Sequence, residues 1–433
     1  MSDPTPATAA SASSATPPAP PSVPAAPELA TVEITDLAFG GEGVGRLPDG
    51  LTVFVPFTAV GDRAEIAVTQ RRAKFARGAV RTLLTPGPGR VKPGCPLFGR
   101  CGGCQYQHLS SATQTAAKVR QLAELLRRVG GLTAAPAVDP VLVAGTPYAY
   151  RNKLVLHPLP GATPPAAYGF HDRSGAALLA VERCPLALAP INRRLREFRA
   201  RPPAIPEVLP LTVRVDATGR VEHFVRASFK RAWLTERIAG RTLSVPLAAF
   251  YQVNPPVFDA VVAWLKGIFA ATPPGPLIDA YCGVGVFALT LAEHFTPILG
   301  IEADKDAAHA ARVNARALGA TAATFEHALT EAALPQALAA PVFTAAPGTV
   351  LLDPPRGGCE PKVISTLAKH GPPTVVYVSC DPATLARDLR GLCRDGVYAV
   401  RRVALAEMFP QTAHFESIVI LERAGSAGYR GGG

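Results

Sequence analysis

The sequence predicts a multidomain α/β protein in three parts. These are a small N-terminal β-barrel of OB-like type, a central α+β domain built round a cysteine-rich loop, and a C-terminal doubly wound sheet. Three observations carry the prediction. Short strand patterns separated by Gly-rich turns fill residues 31–84, the spacing of a small all-β barrel. A Gly/Pro/Cys-rich stretch follows, then one amphipathic helix and strand-like runs broken by Pro and Gly. From about residue 255 strand and helix patterns alternate, which means a mostly parallel sheet covered on both faces. The expected boundaries are a disordered tail over 1–30, the barrel over 31–84, the central domain over 85–250, the doubly wound domain over 251–424 and a flexible tail over 425–433.

The elements follow in order. Residues 1–30 hold 9 Ala and 8 Pro and cannot bury a core, so they are expected to be disordered. TVEITDLAF, LTVFVPF, AEIAVTQRR and FARGAVRTLL read as barrel strands, with GGEGVGRLPDG a loop. Arg71, Arg72, Lys74 and Arg77 with the ring of Phe75 suit a basic groove for single-stranded nucleic acid. SATQTAAKVRQLAELLRRVGG reads as a helix with Ser110 or Ser111 as N-cap and Gly130 as C-cap. AYRNKLVLHPL, LTVRVDA, VEHFVRASF and RTLSVPLAAFYQ suggest an antiparallel sheet. Beyond it, PVFDAVVAWLKGIFA, VFALTLAEHF and KDAAHAARVNARALG are helices. PLIDA, PILGIEAD, TVLL and TVVYVSC are strands, and YAVRRVALAEMF with HFESIVILER closes as an antiparallel hairpin.

Charge and composition narrow the function. The chain of 433 residues carries a net charge of +11 and a pI near 9.5. Residues 111–250 alone hold 20 basic and 9 acidic side chains. A concentrated basic excess favours a polyanionic partner, and nucleic acid is the commonest. No apolar run approaches the roughly 18 residues that span a bilayer, so no membrane role is expected. The N-terminus lacks a basic n-region and an apolar h-region, and its first basic residue is Arg46. The expected location is the cytoplasm. The 8 Cys cluster near residue 100 and scatter elsewhere, which suggests metal or catalytic thiols rather than disulfides.

Asp279-Ala-Tyr-Cys-Gly-Val-Gly-Val follows a strand and opens a helix. Gly283 and Gly285 let the backbone turn tightly beside a ligand, and Glu302 ends the next strand, where a carboxylate can accept from ribose hydroxyls. The third Gly of a dinucleotide fingerprint is missing, since position 288 is Ala. An adenosine ligand without a pyrophosphate fits better, and S-adenosylmethionine is such a ligand. Asp353-Pro-Pro-Arg-Gly-Gly leaves the next strand on the same side, so Asp353 is expected to orient the cofactor amine or the substrate base.

Cys380 ends TVVYVSC and should reach the same crevice, where a helix N-terminus favours a thiolate. Glu416 stands before the last strand and suits a general base. One reaction needs a thiol, a base and a methyl donor together. Pyrimidine C5 is too weak a nucleophile to take a methyl group unaided. A thiolate adding to C6 makes C5 enolate-like; after methylation a base removes the C5 proton and the thiol leaves.

Cys95-x5-Cys101-Gly-Gly-Cys104 puts three thiols in one Gly-rich turn, and Cys184 in VERCPL is the best fourth ligand. Four thiolates suit tetrahedral zinc or an iron–sulfur cluster. The spacing is unlike paired zinc-ribbon knuckles, so a [4Fe–4S] cluster is the expectation.

The chain resembles the RNA 5-methyluridine methyltransferases, the bacterial rRNA and tRNA uracil-C5 enzymes with an N-terminal TRAM domain. The matching stretches are GGEGVGR, VFVPF, CPLFGRCGGCQYQHL, YRNK, FYQVNP, DAYCGVGVFALTLA, DPPRGG, SCDPATLARDL and HFESIVIL, spread over residues 31–423. The resemblance implies a TRAM barrel, a central iron–sulfur domain and a class I Rossmann-like methyltransferase domain. It implies Cys380 as nucleophile and Glu416 as base. It makes Gln252, Tyr281, Glu302 and Asp353 cofactor-site residues, and Cys95, Cys101, Cys104 and Cys184 cluster ligands that shape RNA binding. The expected product is 5-methyluridine in RNA, 23S rRNA before tRNA, made by a monomer. Two positions depart from the pattern: Val286, where relatives often carry Asn, and His327-Ala328-Leu329, where a polar residue often meets adenine. The other readings are cytosine C5 methylation, exocyclic amine methylation, and an inactive Fe–S RNA-binding module. Arg356 stands where the cytosine enzymes keep a Cys, and Cys380 with Glu416 argue against the last two.

Overall fold

The computed structural model describes residues 28–132, 136–159, 168–201, 209–225, 232–270 and 274–425. The two expected tails lie almost wholly outside the described residues. The barrel comprises β1 (Leu29–Leu37), β2 (Glu42–Arg46), β3 (Thr52–Pro56), β4 (Arg63–Arg71) and β5 (Ala76–Thr85). It closes in the order β1-β2-β3-β5-β4 through antiparallel pairing of β1 with β4. Alternation decides what fills it: Val32, Ile34, Val53, Val55, Ala64 and Ile66 point inward and are buried.

Next come α1 (Ser111–Arg128), β6 (Val138–Leu142), β7 (Lys153–Pro158), β8 (Tyr168–His171), β9 (Leu178–Ala180), α2 (Ala189–Ala200), β10 (Leu211–Val215), β11 (Val221–Val225), β12 (Trp233–Ile238) and β13 (Arg241–Pro246). Ser110 caps α1, its side chain accepting from the Thr113 N–H. The helix stops one residue before the expected Gly130 cap: Val129 is the C-cap, and the left-handed turn falls on Gly131 at φ +68°. β11-β10-β7-β8-β9 form an antiparallel sheet, backed by Ile191, Leu195 and Phe198 of α2. The last four residues of the expected strand VEHFVRASF lie outside the described residues.

The remaining elements are α3 (Pro255–Phe269), β14 (Gly275–Ala280), α4 (Val286–Thr290), β15 (Phe295–Glu302), α5 (Lys305–Ala317), β16 (Ala323–His327), α6 (Thr330–Ala339), α7 (Pro341–Ala345), β17 (Thr349–Leu352), α8 (Pro361–His370), β18 (Thr374–Ser379), α9 (Pro382–Leu392), β19 (Tyr398–Ala406) and β20 (Glu416–Arg423). They build an eight-stranded sheet in the order β16-β15-β14-β17-β18-β20-β19-β6. β14 to β18 run parallel, and β20 is antiparallel to both neighbours. VFALTLAEHF is helical only over Val286–Thr290; the chain then turns directly into β15.

Period-two alternation divides the sheet's side chains between two cores. Ile278, Val350, Leu352, Val375, Tyr377, Val419 and Leu421 face α1, α6, α8 and α9. Leu277, Leu351, Val376, Val378, Ile418 and Ile420 face α3 and α5.

Packing crosses the expected boundary at residue 250. β6 pairs with β19 at the sheet edge, Leu122 and Leu126 of α1 enter one core, and Leu243 and Val245 of β13 enter the other. One strand that precedes the five-stranded sheet, β6, thus completes the C-terminal sheet, and α1 and β13 pack into its cores. A run of five apolar-leaning residues such as Val138–Leu142 carries no sign of which sheet it will join.

Candidate active site

The parallel order places one set of strand ends together. Leu352 pairs with Ala280 on one side and Tyr377 on the other, so Tyr281, Asp353 and the chain after β18 emerge on the same edge. β20 runs the other way, and Ser379 pairs with Ser417. Cys380 follows Ser379 and Glu416 precedes Ser417, so the two lie just past the end of that ladder, near enough for Glu416 to act on the Cys380 thiol. Antiparallel reversal is what brings a residue at the start of one strand beside one just past the end of another.

The glycine turn has the expected geometry. Gly283 and Gly285 hold φ +55° and +85°. A Cβ on Gly285 would lie 3.1 Å from Phe325, so the close approach also needs glycine. Tyr281 adopts φ +65° without that freedom; its hydroxyl bonds near Cys359 and Thr330, and burial raises its pKa. Glu302 accepts from the Gly283 N–H (2.8 Å) and the Asp304 N–H (2.6 Å), which ties the strand end to the turn. Beneath the turn, Asp279 is fully buried. One of its oxygens takes the Ala288 N–H at 2.8 Å, the other has no partner among the described residues, and burial pushes the carboxyl up to about 8.

Asp353 is half-buried, and burial with Glu302 nearby raises its pKa to about 7. The loop it opens is gripped by α9. Arg387 donates to the Gly357 carbonyl (2.8 Å) and Thr384 to that of Arg356 (3.2 Å). Asp388 accepts from the Cys359 N–H and the Tyr377 hydroxyl (2.8 and 2.7 Å). The DPPRGG and SCDPATLARDL motifs therefore act as one unit.

Cys380 is half-buried, just ahead of α9, which Asp381 caps through the Ala383 and Thr384 N–H groups. The expected thiolate is not the resting form. Burial comes first, and Glu416 and Asp353 add to it because the crevice disfavours a second anion beside either acid; together they push the thiol up to about 12, against the pull of Arg356. Desolvation and two acids outweigh one helix terminus and one exposed guanidinium. Glu416 is buried at 6% exposure, not a surface acid. Burial and Asp353 hold its carboxyl protonated well above the usual range, and its Oε2 has no hydrogen-bond partner among the described residues. An unpartnered buried carboxyl is costly unless a ligand completes it.

Gln252 is buried on the connection into α3, where its backbone carbonyl accepts from the Asn152 side chain at 3.0 Å. Val286 opens α4, and Leu329 is 57% exposed at the start of α6.

The four cysteines come from two segments and none is in a disulfide. Cys101 bridges to Asp172 in the central sheet, and Cys184 is fixed through Asn192, whose side chain accepts from the Cys184 N–H at 2.9 Å. Their mutual electrostatic influence links Cys101 with Cys95, and Cys104 with Cys184 and Cys101. Arg151 acts on Cys101, Cys104 and Cys184. Among the described residues no group is close enough to hold a single metal ion.

Comparison with known proteins decides the family. A family model described as tRNA (Uracil-5-)-methyltransferase matches residues 212–424, and the TRAM domain matches residues 28–80. The chain is 32% identical to the 23S rRNA (uracil(1939)-C(5))-methyltransferase of Enterobacter sp. (strain 638), over 91% of this chain and 96% of that one. The chain belongs to the RNA uracil-C5 methyltransferase family. This methyltransferase is also 32% identical to an uncharacterised RNA methyltransferase of Nostoc sp., over 92% and 97% of the two chains. Its fold matches the Pyrococcus abyssi tRNA (uracil-54, C5)-methyltransferase, solved with S-adenosyl-L-homocysteine, with TM-score 0.68 over 90% of this chain and 100% of that one, at 23% identity. No helix among the described residues is long and apolar enough to cross a membrane.

Sequence reasoning missed three residues of the methyltransferase site. Asp279 reads as the end of a strand, yet lies buried under the turn with a free oxygen. Arg356 reads only as a residue in place of a Cys, yet it is the cation whose charge acts on both Cys380 and Glu416. Asp388 reads as a helix surface acid, yet it is buried and holds the loop after β17. Only Asp388 left a signal, its place inside an otherwise apolar helix face.

Proposed function

We propose that this RNA uracil-C5 methyltransferase acts on a uridine of 23S rRNA, with Cys380 as nucleophile and Glu416 as base. The observation that carries the reading is the β18–β20 register, which sets a thiol opposite a buried, unpartnered carboxyl at the mouth of the sheet. Gly283, Gly285, Glu302, Asp353, Tyr281 and Gln252 would hold S-adenosylmethionine, and the unpaired oxygen of Asp279 sits below that turn. When bound, this cofactor supplies an electrophilic methyl group. The Cys380 thiol would give its proton to solvent as its sulfur bonds to uracil C6, which loads electron density onto C5. Glu416 would likewise have to lose its own proton to solvent first; once C5 is methylated, the resulting carboxylate takes the C5 proton, the C5–C6 double bond re-forms and the sulfur leaves as thiolate.

The barrel and the five-stranded sheet form the RNA-binding half of the reading. Arg72 and Lys74 are exposed on the barrel, whereas Arg71 pairs with Glu28 and Asp49, and Arg77 with Glu42. Similarity over nearly the full length to a 23S rRNA enzyme supports rRNA over tRNA.

Cys95, Cys101, Cys104 and Cys184 fit a [4Fe–4S] cluster. They are free, come together from two segments and share one buried cation, Arg151, which offsets thiolate charge. Anaerobic reconstitution should incorporate about four irons per chain, and Cys184→Ser should lose them.

The decisive experiment traps the covalent intermediate. RNA containing 5-fluorouridine should form a denaturant-resistant adduct with the protein, and Cys380→Ala should form none. An adduct that survives Cys380→Ala would refute the nucleophile. Mapping 5-methyluridine in rRNA and tRNA of a strain lacking the gene decides the target.

A further inference from the structure

The connection from β19 to β20 ends on Glu416. Its first residue is tied to the sheet, the Glu407 N–H donating to the Leu142 carbonyl of β6 at 3.0 Å, and residues of the cysteine-rich turn and of α1 hold much of the rest. The Tyr106 N–H donates to the Gln411 carbonyl at 3.0 Å. The Gln411 N–H donates to Gln114 at 2.9 Å, and the two side-chain amides bond at 3.0 Å. Glu407 accepts from Lys118 (2.6 Å) and Thr115 (2.8 Å). Gln411 itself sits at φ +71°, a conformation that a non-glycine residue keeps only when its neighbours impose it. Phe415 is sealed from the barrel side by an edge contact with Phe39, ring centroids 6.3 Å apart.

One side chain joins the cysteine turn to the residues nearest the base. Gln105 follows Cys104 directly. Its amide donates to the Gly102 carbonyl at 3.0 Å, and its oxygen accepts from the Ala413 N–H at 3.2 Å. Ala413 is buried and lies three residues before Glu416. A change in the cysteine turn is therefore one side chain away from the backbone that aims the carboxylate.

We propose that Gln105 is a positioning residue for proton abstraction: it locks the segment 411–415 against the cysteine turn so that Glu416 faces C5. The proposal rests on Glu416 being the base. The step it serves is the last one, in which the C5 proton passes to the Glu416 carboxylate, the C5–C6 double bond re-forms and Cys380 is expelled.

The test separates that step from the earlier ones. Gln105→Leu removes both bonds at similar size, and Gln105→Glu keeps an acceptor for the Ala413 N–H. On ordinary uridine RNA, Gln105→Leu should turn over roughly three- to tenfold more slowly, the rate equivalent of one hydrogen bond, and should accumulate the covalent adduct. On 5-fluorouridine RNA, where C5 cannot lose a proton, it should form adduct at the parent rate. RNA affinity and iron content should not change, and Gln105→Glu should recover most of the turnover. The proposal is overturned if Gln105→Leu does not accumulate adduct while Glu416→Gln does. It is equally overturned if turnover falls only in proportion to lost iron or RNA affinity, or if Gln105→Glu is no better than Gln105→Leu. If Glu416→Gln itself accumulates no adduct, the base assignment fails first, and the positioning role falls with it.

Discussion

Cys380 in the free protein should alkylate slowly at neutral pH and accelerate about tenfold with each pH unit to about pH 10. The sign follows from its surroundings. Burial penalises the thiolate, and ionising Cys380 beside Glu416 or Asp353 would crowd like charges together, so the neutral thiol is favoured and reactivity rises as pH rises. A thiol titrating near 12 instead of at its ordinary 9.0 holds roughly a thousandth of the thiolate at about pH 8. Asp353→Asn removes one of the two opposing charges and should speed the reaction; Arg356→Ala removes the cation that favours the thiolate and should slow it. The assay is a timed iodoacetamide reaction across the pH range, quenched, digested and read by mass spectrometry on the peptide carrying Cys380. A rate that levels off below about pH 9, or that ignores both substitutions, would refute the view that desolvation and the two acids set the thiol's state.

Lys118 and Glu407 have side chains 0% and 6% exposed and pair at 2.6 Å. Lys118→Met should cost about 3–5 kcal/mol in urea denaturation by stranding a buried carboxylate, and adding Glu407→Leu should restore most of it; equal stability of single and double variants would contradict this. Gly285→Ala should lose about 1–2 kcal/mol from its left-handed backbone alone, with weaker calorimetric binding of S-adenosylhomocysteine, because its Cβ meets Phe325; unchanged binding would remove the turn from the cofactor site. Arg72→Ala and Lys74→Ala should each weaken RNA binding alike for all sequences and flatten the salt dependence by about one phosphate contact. A filter-binding salt titration with an unaltered slope would exclude the barrel from the interface.

What the sequence alone made legible was what local pattern encodes. Strands of the parallel sheet are continuous apolar runs, the barrel strands alternate, and Gly283 and Gly285 mark a turn that only glycine adopts without strain. The thiol that ends TVVYVSC and the acid before SIVILER stand out because chemistry-bearing residues at strand ends line the crevice of an open sheet. Local pattern did not carry which strands become neighbours. The β18–β20 register, the recruitment of β6 and α1 into the C-terminal sheet, and the grip of α9 on the loop after β17 join residues far apart in the chain. Their partners are chosen by burial and hydrogen-bond satisfaction over the whole molecule. Nor did it carry ionisation. Glu416 reads as a base and Cys380 as a thiolate at a helix terminus, with no sign in the sequence that burial keeps both protonated, because desolvation depends on everything packed around a group, and only the assembled tertiary structure determines that.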